Sequence, residues 1–131
     1  MQAIRRGASW IQVAAAVLVV VGVFAQVYLI GAYFFGAGSD ALNAHKDVGG
    51  IVHGLEVLTL LAALVAWLPR TDLILSLVLA LVGTGQIALA EADKWAGGLH
   101  PLFALVVLAL AGSIAQRGIR RQRTPAAASA A

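Results

Sequence analysis

The segment AHKDVGGIVHGLEVLTLLAALVAWLPR, which runs from Ala44 to Arg70, joins a membrane-length apolar run to several polar side chains. At about 100° per residue, one helix face about 80° wide carries His45, Gly49, His53 and Glu56. Ionisable groups at membrane depth are costly, and they usually face a bundle interior where they find a partner. This segment therefore predicts a membrane-spanning helix whose polar face is turned toward another helix.

The composition is that of an integral membrane protein. Of the 131 residues, 61% are hydrophobic and 11% are charged, whereas soluble domains carry about 25% charged residues. A span needs about 20 apolar residues, so four spans with short loops fill most of the chain. We therefore predict an all-α, four-helix bundle in the membrane. The absence of cysteine excludes disulfides, thiolate metal sites and iron–sulfur clusters.

Charge-free runs and turn residues delimit the helices. The predicted helices are residues 9–35, 44–68, 72–92 and 99–117. Residues 1–117 then form a single transmembrane domain, and residues 118–131 are expected to be a basic, disordered C-terminal tail. Thr71 or Asp72 is expected to cap the third helix, because both follow the helix-ending Pro69. The first apolar run exceeds the roughly 7–15 residues of a signal-peptide core, so we expect a retained span.

Basic residues cluster at one end of the predicted bundle. The N-terminus, the second loop and the tail hold seven arginines: Arg5, Arg6, Arg70, Arg117, Arg120, Arg121 and Arg123. The opposite side holds only Lys46 and Lys94. This imbalance predicts a multi-pass plasma-membrane protein with both termini in the cytoplasm. Because the arginines lie at span ends, they indicate orientation, and no nucleic-acid partner is expected.

Two helical hairpins of related sequence form a predicted internal repeat. Val52-His53-Gly54-Leu55 in the second helix corresponds to Leu99-His100-Pro101-Leu102 in the fourth. Upstream of these, Ala25-Gln26-Val27 corresponds to Gly85-Gln86-Ile87. Such repeats would pack around an axis along the membrane normal. The alternative is chance similarity between helices rich in leucine, alanine and valine.

The histidines are candidate ligands of a haem b. His53 lies 17 residues before Arg70 and His100 lies 17 residues before Arg117, which puts both about 25 Å from the arginine-bearing end. His45 lies two turns further out. Two histidines that face each other in a four-helix bundle can be the axial ligands of haem iron. Gly49, with Gly50 and Gly54, would leave space for the porphyrin on the second helix.

Several alternatives remain open for these residues. Gly50 and Gly54 could form a helix contact without a cofactor, and any one histidine could simply cap a loop. A bare zinc or copper site would need all three histidines. Glu56 follows His53 by three residues, so the two can share a hydrogen bond or a proton, either next to the cofactor or in a proton relay.

The sequence contains no catalytic constellation, so no enzyme is predicted. The leading hypothesis is a haem-binding membrane protein that transfers electrons. The alternatives are a cofactor-free structural or accessory subunit, and a small transporter or proton-conducting bundle that uses Glu56 and His53. The expected partners are the lipid bilayer and either another membrane protein or a second copy of the chain.

Four short motifs carry a resemblance to known families. They are His45-Lys46-x-x-Gly49, Leu68-Pro69-Arg70, Gln86 and Leu99-His100-Pro101. From Gln26 to Arg117 the chain resembles a family of small four-span bacterial membrane proteins of unknown function. It is also similar to one half of haem A synthase, and that resemblance implies that His45 and His100 flank a haem near the outer face. The depth count favours His53 as the partner of His100 instead. The acidic and cysteine elements of haem A synthase are missing here, so the resemblance does not imply synthase activity.

Overall fold

The computed structural model describes residues 1–123, and within this range the chain is all-helical. The elements are α1 (Gln2–Ala32), a π-helical turn (Tyr33–Ala37), α2 (Ser39–Val65), α3 (Arg70–Ala90), a short α4 (Lys94–Gly97) and α5 (His100–Arg123). Four segments are long and apolar enough to cross a membrane, and they contain α1, α2, α3 and α5. The prediction of an all-α bundle of four membrane-length helices is confirmed at this level, consistent with a multi-pass membrane protein.

The four long helices form a ring of neighbours. Helix α1 packs against α2 and α5, and α3 packs against the same two helices. Helices α2 and α5 therefore lie across one diagonal of the bundle, and α1 and α3 across the other. The start of α2 and the start of α5 consequently lie at the same end of the bundle, across this diagonal.

The bundle core is rich in small side chains, and many large apolar side chains are exposed. Nine of the seventeen buried hydrophobic residues are alanines, whereas Phe24, Phe34 and Phe35 are exposed. In lipid, apolar burial does not drive helices together, so close packing through small residues takes over. Gly22 and Gly118 show this most clearly, because a Cβ atom at either would collide with a valine of the neighbouring helix.

Helix α2 ends in a left-handed turn that a tryptophan occupies. Trp67 has a φ of 52°. Its backbone N–H donates to the carbonyl of Leu64, and the N–H of Leu68 donates to that of Ala63 at 3.1 Å, the arrangement of a Schellman motif. Pro69 follows and is the N-cap of α3, without a side-chain cap. The predicted cap by Thr71 or Asp72 is therefore wrong.

Two helices are longer than predicted at the arginine-bearing end. Helix α1 begins at Gln2 rather than near residue 9. Helix α5 continues through the predicted end at Arg117 to Arg123, and Gly118 is buried in it. The last turns of α5 thus pack onto the bundle, where Arg121 and Gln122 have hydrogen-bond partners on α1 and α3. The rest of the predicted disordered tail lies outside the described residues.

The loop between α3 and α5 contains one additional helical turn, α4. Asp93 caps it by accepting hydrogen bonds from the backbone N–H groups of Trp95 at 2.8 Å and Ala96 at 3.1 Å. These two donors, with that of Ala96 the stronger influence, hold the pKa of the Asp93 carboxyl below its usual value. The predicted loop is therefore a capped turn that leads directly to His100.

Candidate functional site

Two histidines meet across the α2–α5 diagonal. The ring centroids of His45 and His100 are 6.3 Å apart, with an angle of 67° between the ring planes. His45 lies in the second turn of α2, and His100 is the first residue of α5. Both residues are half-buried. The pair therefore lies at the end of the bundle opposite to the arginines, between the core and the surface.

The two rings are held by equivalent hydrogen bonds. The Nδ1 atom of His45 lies 3.1 Å from the backbone oxygen of Gln26, and that of His100 lies 2.9 Å from the backbone oxygen of Gln86. Because a carbonyl can only accept, Nδ1 carries the proton in each ring. When such a ring is neutral, its Nε2 atom carries the lone pair, which is the tautomer that a metal-ligating histidine adopts when a backbone carbonyl orients it.

Gln26 joins α1 to α2 next to His45. Its Nε2 atom donates to the backbone oxygen of His45 at 2.7 Å. A Cβ atom at Gly49 would lie 3.0 Å from that nitrogen, so the glycine leaves space for the glutamine side chain. The Oε1 atom of Gln26 is buried and has no hydrogen-bond partner within residues 1–123. The space attributed to Gly49 in the porphyrin hypothesis is thus filled by Gln26.

Gly50 and Gly54 do not line the space between α2 and α5. A Cβ atom at either position would have no heavy atom within 4 Å, and both residues are exposed. They lie on the outer surface of α2, where they cannot admit a flat ring into the bundle. The porphyrin hypothesis itself stays a prediction.

His53 belongs to a separate polar pair deeper in the bundle. Its Nδ1 atom lies 3.0 Å from Oε2 of Glu56, and Glu56 is only 2% exposed. A Cβ atom at Gly83 of α3 would overlap this carboxylate, so the glycine makes room for it. His53 lies about 12 Å along α2 from His45. The ring contact of His100 is therefore with His45, and the partner of His53 is Glu56.

The depth count that favoured His53 assumed that the fourth helix ends near Arg117. Helix α5 instead runs to Arg123, so His100 lies 23 residues from the end of its helix. His45 lies 20 residues before Val65, the end of α2, and His53 lies only 12 residues before it. Measured from the ends of α2 and α5, the depth of His45 is closer than that of His53 to the depth of His100.

A buried network at the arginine-bearing end was not predicted from the sequence. Asp72, 3% exposed, accepts hydrogen bonds from Arg117 Nε and Arg121 Nη1, each at 2.6 Å. Arg121 also donates to Gln12 at 3.0 Å, and Gln12 donates to Ser76 at 3.2 Å. The network connects α1, α3 and α5. One signal could have indicated it, because Arg117 and Arg121 are spaced i, i+4 and Asp72 is the one acidic residue beside the seven arginines.

The described clusters differ in what they can bind. No group of three or more histidine, aspartate or glutamate side chains that could hold a metal ion occurs in residues 1–123. A bare zinc site requires three or four protein ligands, whereas a haem brings four nitrogens and needs only axial ligands from the protein. Two histidines whose rings lie close together, each held through Nδ1 by a backbone carbonyl, suit the second arrangement.

The fold is a bundle of four helices long and apolar enough to cross a membrane, with polar groups inside it, and it is consistent with a small multi-pass membrane protein. No protein-family model, no curated protein and no solved structure matches this chain. The similarity to one half of haem A synthase therefore stays a prediction, and function is inferred from the residues of the site.

Proposed function

We propose that this protein binds one haem b between α2 and α5, with His45 and His100 as the axial ligands, and passes electrons to a membrane partner. The observation that carries the proposal is the facing pair of rings, each held through Nδ1 by a backbone carbonyl. In the neutral ring, the lone pair on Nε2 points away from the ring and would be available to iron.

The distance between the rings supports this ligation. Two imidazoles that bind one metal from opposite sides, through bonds of about 2.0 Å, have ring centroids roughly 6 Å apart. The observed separation of 6.3 Å agrees with this value. The Gln26 and Gln86 carbonyls would keep the rings oriented and make Nε2 a better donor to the metal.

The position of the pair supports an electron-transfer role. Bound haem iron would change its oxidation state by one electron. His100 begins α5 directly after the exposed turn that contains Trp95, which is 82% exposed. A cofactor held there would lie close to the end of the bundle, within reach of a protein docked at that membrane surface. The apolar core next to His45 and His100 would exclude water from the side of the cofactor that faces the bundle interior.

The predicted internal repeat and the predicted membrane orientation are also part of this proposal. Each hairpin would contribute one histidine and the glutamine carbonyl that holds it, Gln26 with His45 and Gln86 with His100. The arginine excess supports cytoplasmic termini in a bacterial plasma membrane, with the haem near the outer face.

The absorption spectrum of protein purified from cells supplied with haem tests the proposal. We expect a Soret band that is lost or shifted in His45→Ala and in His100→Ala. His53→Ala is the matched control, because it removes a histidine from the same helix, and we expect it to keep the band. Colourless protein, or a band that survives His100→Ala unchanged, would refute haem binding by this pair. A band sensitive to His53→Ala but not to His45→Ala would move the second ligand to His53.

A small proton-conducting bundle or transporter is the second candidate function, favoured by the Glu56–His53 pair. A carboxylate that is 2% exposed at membrane depth marks a proton or ion pathway in many transporters. Proton flux into liposomes that contain the protein should then fall in Glu56→Gln. Flux that equals that of empty liposomes would exclude this function.

A cofactor-free accessory subunit is the third candidate. The open surface of α2 at Gly50 and Gly54 is of the kind that packs closely against another membrane helix. Colourless protein that copurifies in a fixed ratio with one membrane subunit would favour this role over the other two.

A further inference from the structure

A groove on the outside of the bundle runs between α1 and α5. Its volume is about 470 Å³, and Val17, Val21, Gly112, Ala115 and Ile119 supply much of its apolar wall. Arg120 and Arg123 also line it, and they belong to the last turn of α5. The groove therefore has an apolar wall and a strongly basic end.

The length of the groove corresponds to one leaflet of a bilayer. From Gly112 to Arg123 the helix rises about 16 Å, and half of a hydrocarbon core is about 15 Å. The apolar wall would lie at the depth of acyl chains, and the two arginines would lie at the level of the phosphate groups.

The charge at this end of the bundle is strongly positive. Asp72 is the one acidic residue near the seven arginines, and its carboxylate already binds Arg117 and Arg121. Seven arginines against one aspartate leave this end with a net positive charge, which suits an anionic headgroup, because guanidinium groups bind phosphate with paired hydrogen bonds. Basic sites between membrane helices at the cytoplasmic surface commonly bind anionic lipids.

We infer that this groove binds one anionic phospholipid, with an acyl chain against Gly112 and Ala115 and the phosphate at Arg120 and Arg123. The inference is independent of haem binding, since the groove lies at the opposite end of the bundle from His45 and His100. The apolar wall selects a lipid over a free phosphate ion, and the arginines select an anionic headgroup over a neutral one.

Gly112 offers a direct test of the acyl-chain part of the groove. A Cβ atom there would have no protein atom within 4 Å, so Gly112→Leu should fill the groove without disturbing the bundle. Arg120→Gln with Arg123→Gln tests the headgroup part. The matched control is Arg6→Gln with Arg70→Gln, which removes the same charge from two exposed positions at the same end but outside the groove.

Native mass spectrometry of the full chain in detergent, titrated with phosphatidylglycerol or phosphatidylcholine, measures the binding. We expect one phosphatidylglycerol per chain, bound more tightly than phosphatidylcholine. The groove double variant should lose roughly thirtyfold in affinity for phosphatidylglycerol, and Gly112→Leu should weaken binding of both lipids. Circular dichroism of each variant reports whether the fold is kept.

Three results would overturn the inference. Equal affinity for the two lipids would show that the arginines do not select an anionic headgroup. An equal loss in the Arg6→Gln/Arg70→Gln control would show attraction to the whole basic surface instead of a site. Unchanged binding in folded Gly112→Leu would show that no acyl chain occupies the groove.

Discussion

Asp72 is the buried carboxylate that joins α3 to α5 at the arginine-bearing end. Its two oxygens accept separate hydrogen bonds from Arg117 and Arg121, each at 2.6 Å. The substitution Asp72→Asn keeps the shape of the side chain but removes its negative charge. It also replaces one acceptor with an amide NH₂ group that faces an arginine, so one of the two hydrogen bonds cannot form.

The expected loss of stability follows from the exposure of the partners. Removing one member of a buried ion pair costs about 3–5 kcal/mol. Here the side chain of Arg117 is 46% exposed and that of Arg121 is 27% exposed, so water solvates part of the charge that is left behind. We therefore expect Asp72→Asn to lower the free energy of unfolding by about 2–3 kcal/mol.

Unfolding in mixed detergent micelles, followed by circular dichroism, measures this loss. Asp47→Asn is the matched control, since it is an exposed aspartate at the other end of the bundle, and it should change stability by less than about 0.5 kcal/mol. Arg121→Gln completes a double-mutant cycle with Asp72→Asn. Two results would refute the reasoning. Asp72→Asn could change stability as little as Asp47→Asn does, or the effects of Asp72→Asn and Arg121→Gln could be additive in the double variant. Either result would mean that the Asp72–Arg121 pair does not hold α3 and α5 together.

Two further substitutions, Gly83→Ala and Gln26→Ala, test the polar clusters around α2, and Gly50→Ala is the control for the first. Gly83→Ala should place a methyl group on the Glu56 carboxylate, displace it from its hydrogen bond and cost about 1–3 kcal/mol. Gly50→Ala, where the added methyl group meets open space, should be neutral or stabilising in the same unfolding assay. Gln26→Ala removes the side-chain bond to the His45 backbone but keeps the carbonyl that holds the His45 ring. This substitution should lower the free energy of unfolding by about 1 kcal/mol and leave any haem spectrum in place. Loss of the spectrum would contradict the conclusion that the Gln26 carbonyl alone holds the His45 ring.

The arginine run at the end of α5 shows where interpretation of the sequence failed. A basic segment after an apolar span is typical of a solvated tail, and the four arginines from Arg117 onward were interpreted in that way. The role of these arginines depends on which side chains of the other helices lie opposite them. Because Asp72 and Gln12 lie opposite Arg121, the helix continues to Arg123 instead of ending.

The two sequence-based ways of pairing His100, with His45 or with His53, disagree for a related reason. Counting residues back from an arginine gives depth only if that arginine marks the end of its helix. Arg117 does not, since α5 continues past it. The motif-based resemblance favoured His45 without relying on any helix end, and the ring contact is between His45 and His100.

The sequence alone determined the helix content, the number of membrane-length helices and the polar face of α2. These properties are local, because in lipid each backbone N–H and C=O must be satisfied within its own helix, and an apolar run of sufficient length is enough. Only the tertiary structure decided that His45 faces His100, that Glu56 fits against Gly83 and that Asp72 binds the α5 arginines. Those pairings depend on how four similar apolar helices rotate and slide against one another. Small residues set that packing, and no local pattern in the sequence specifies it.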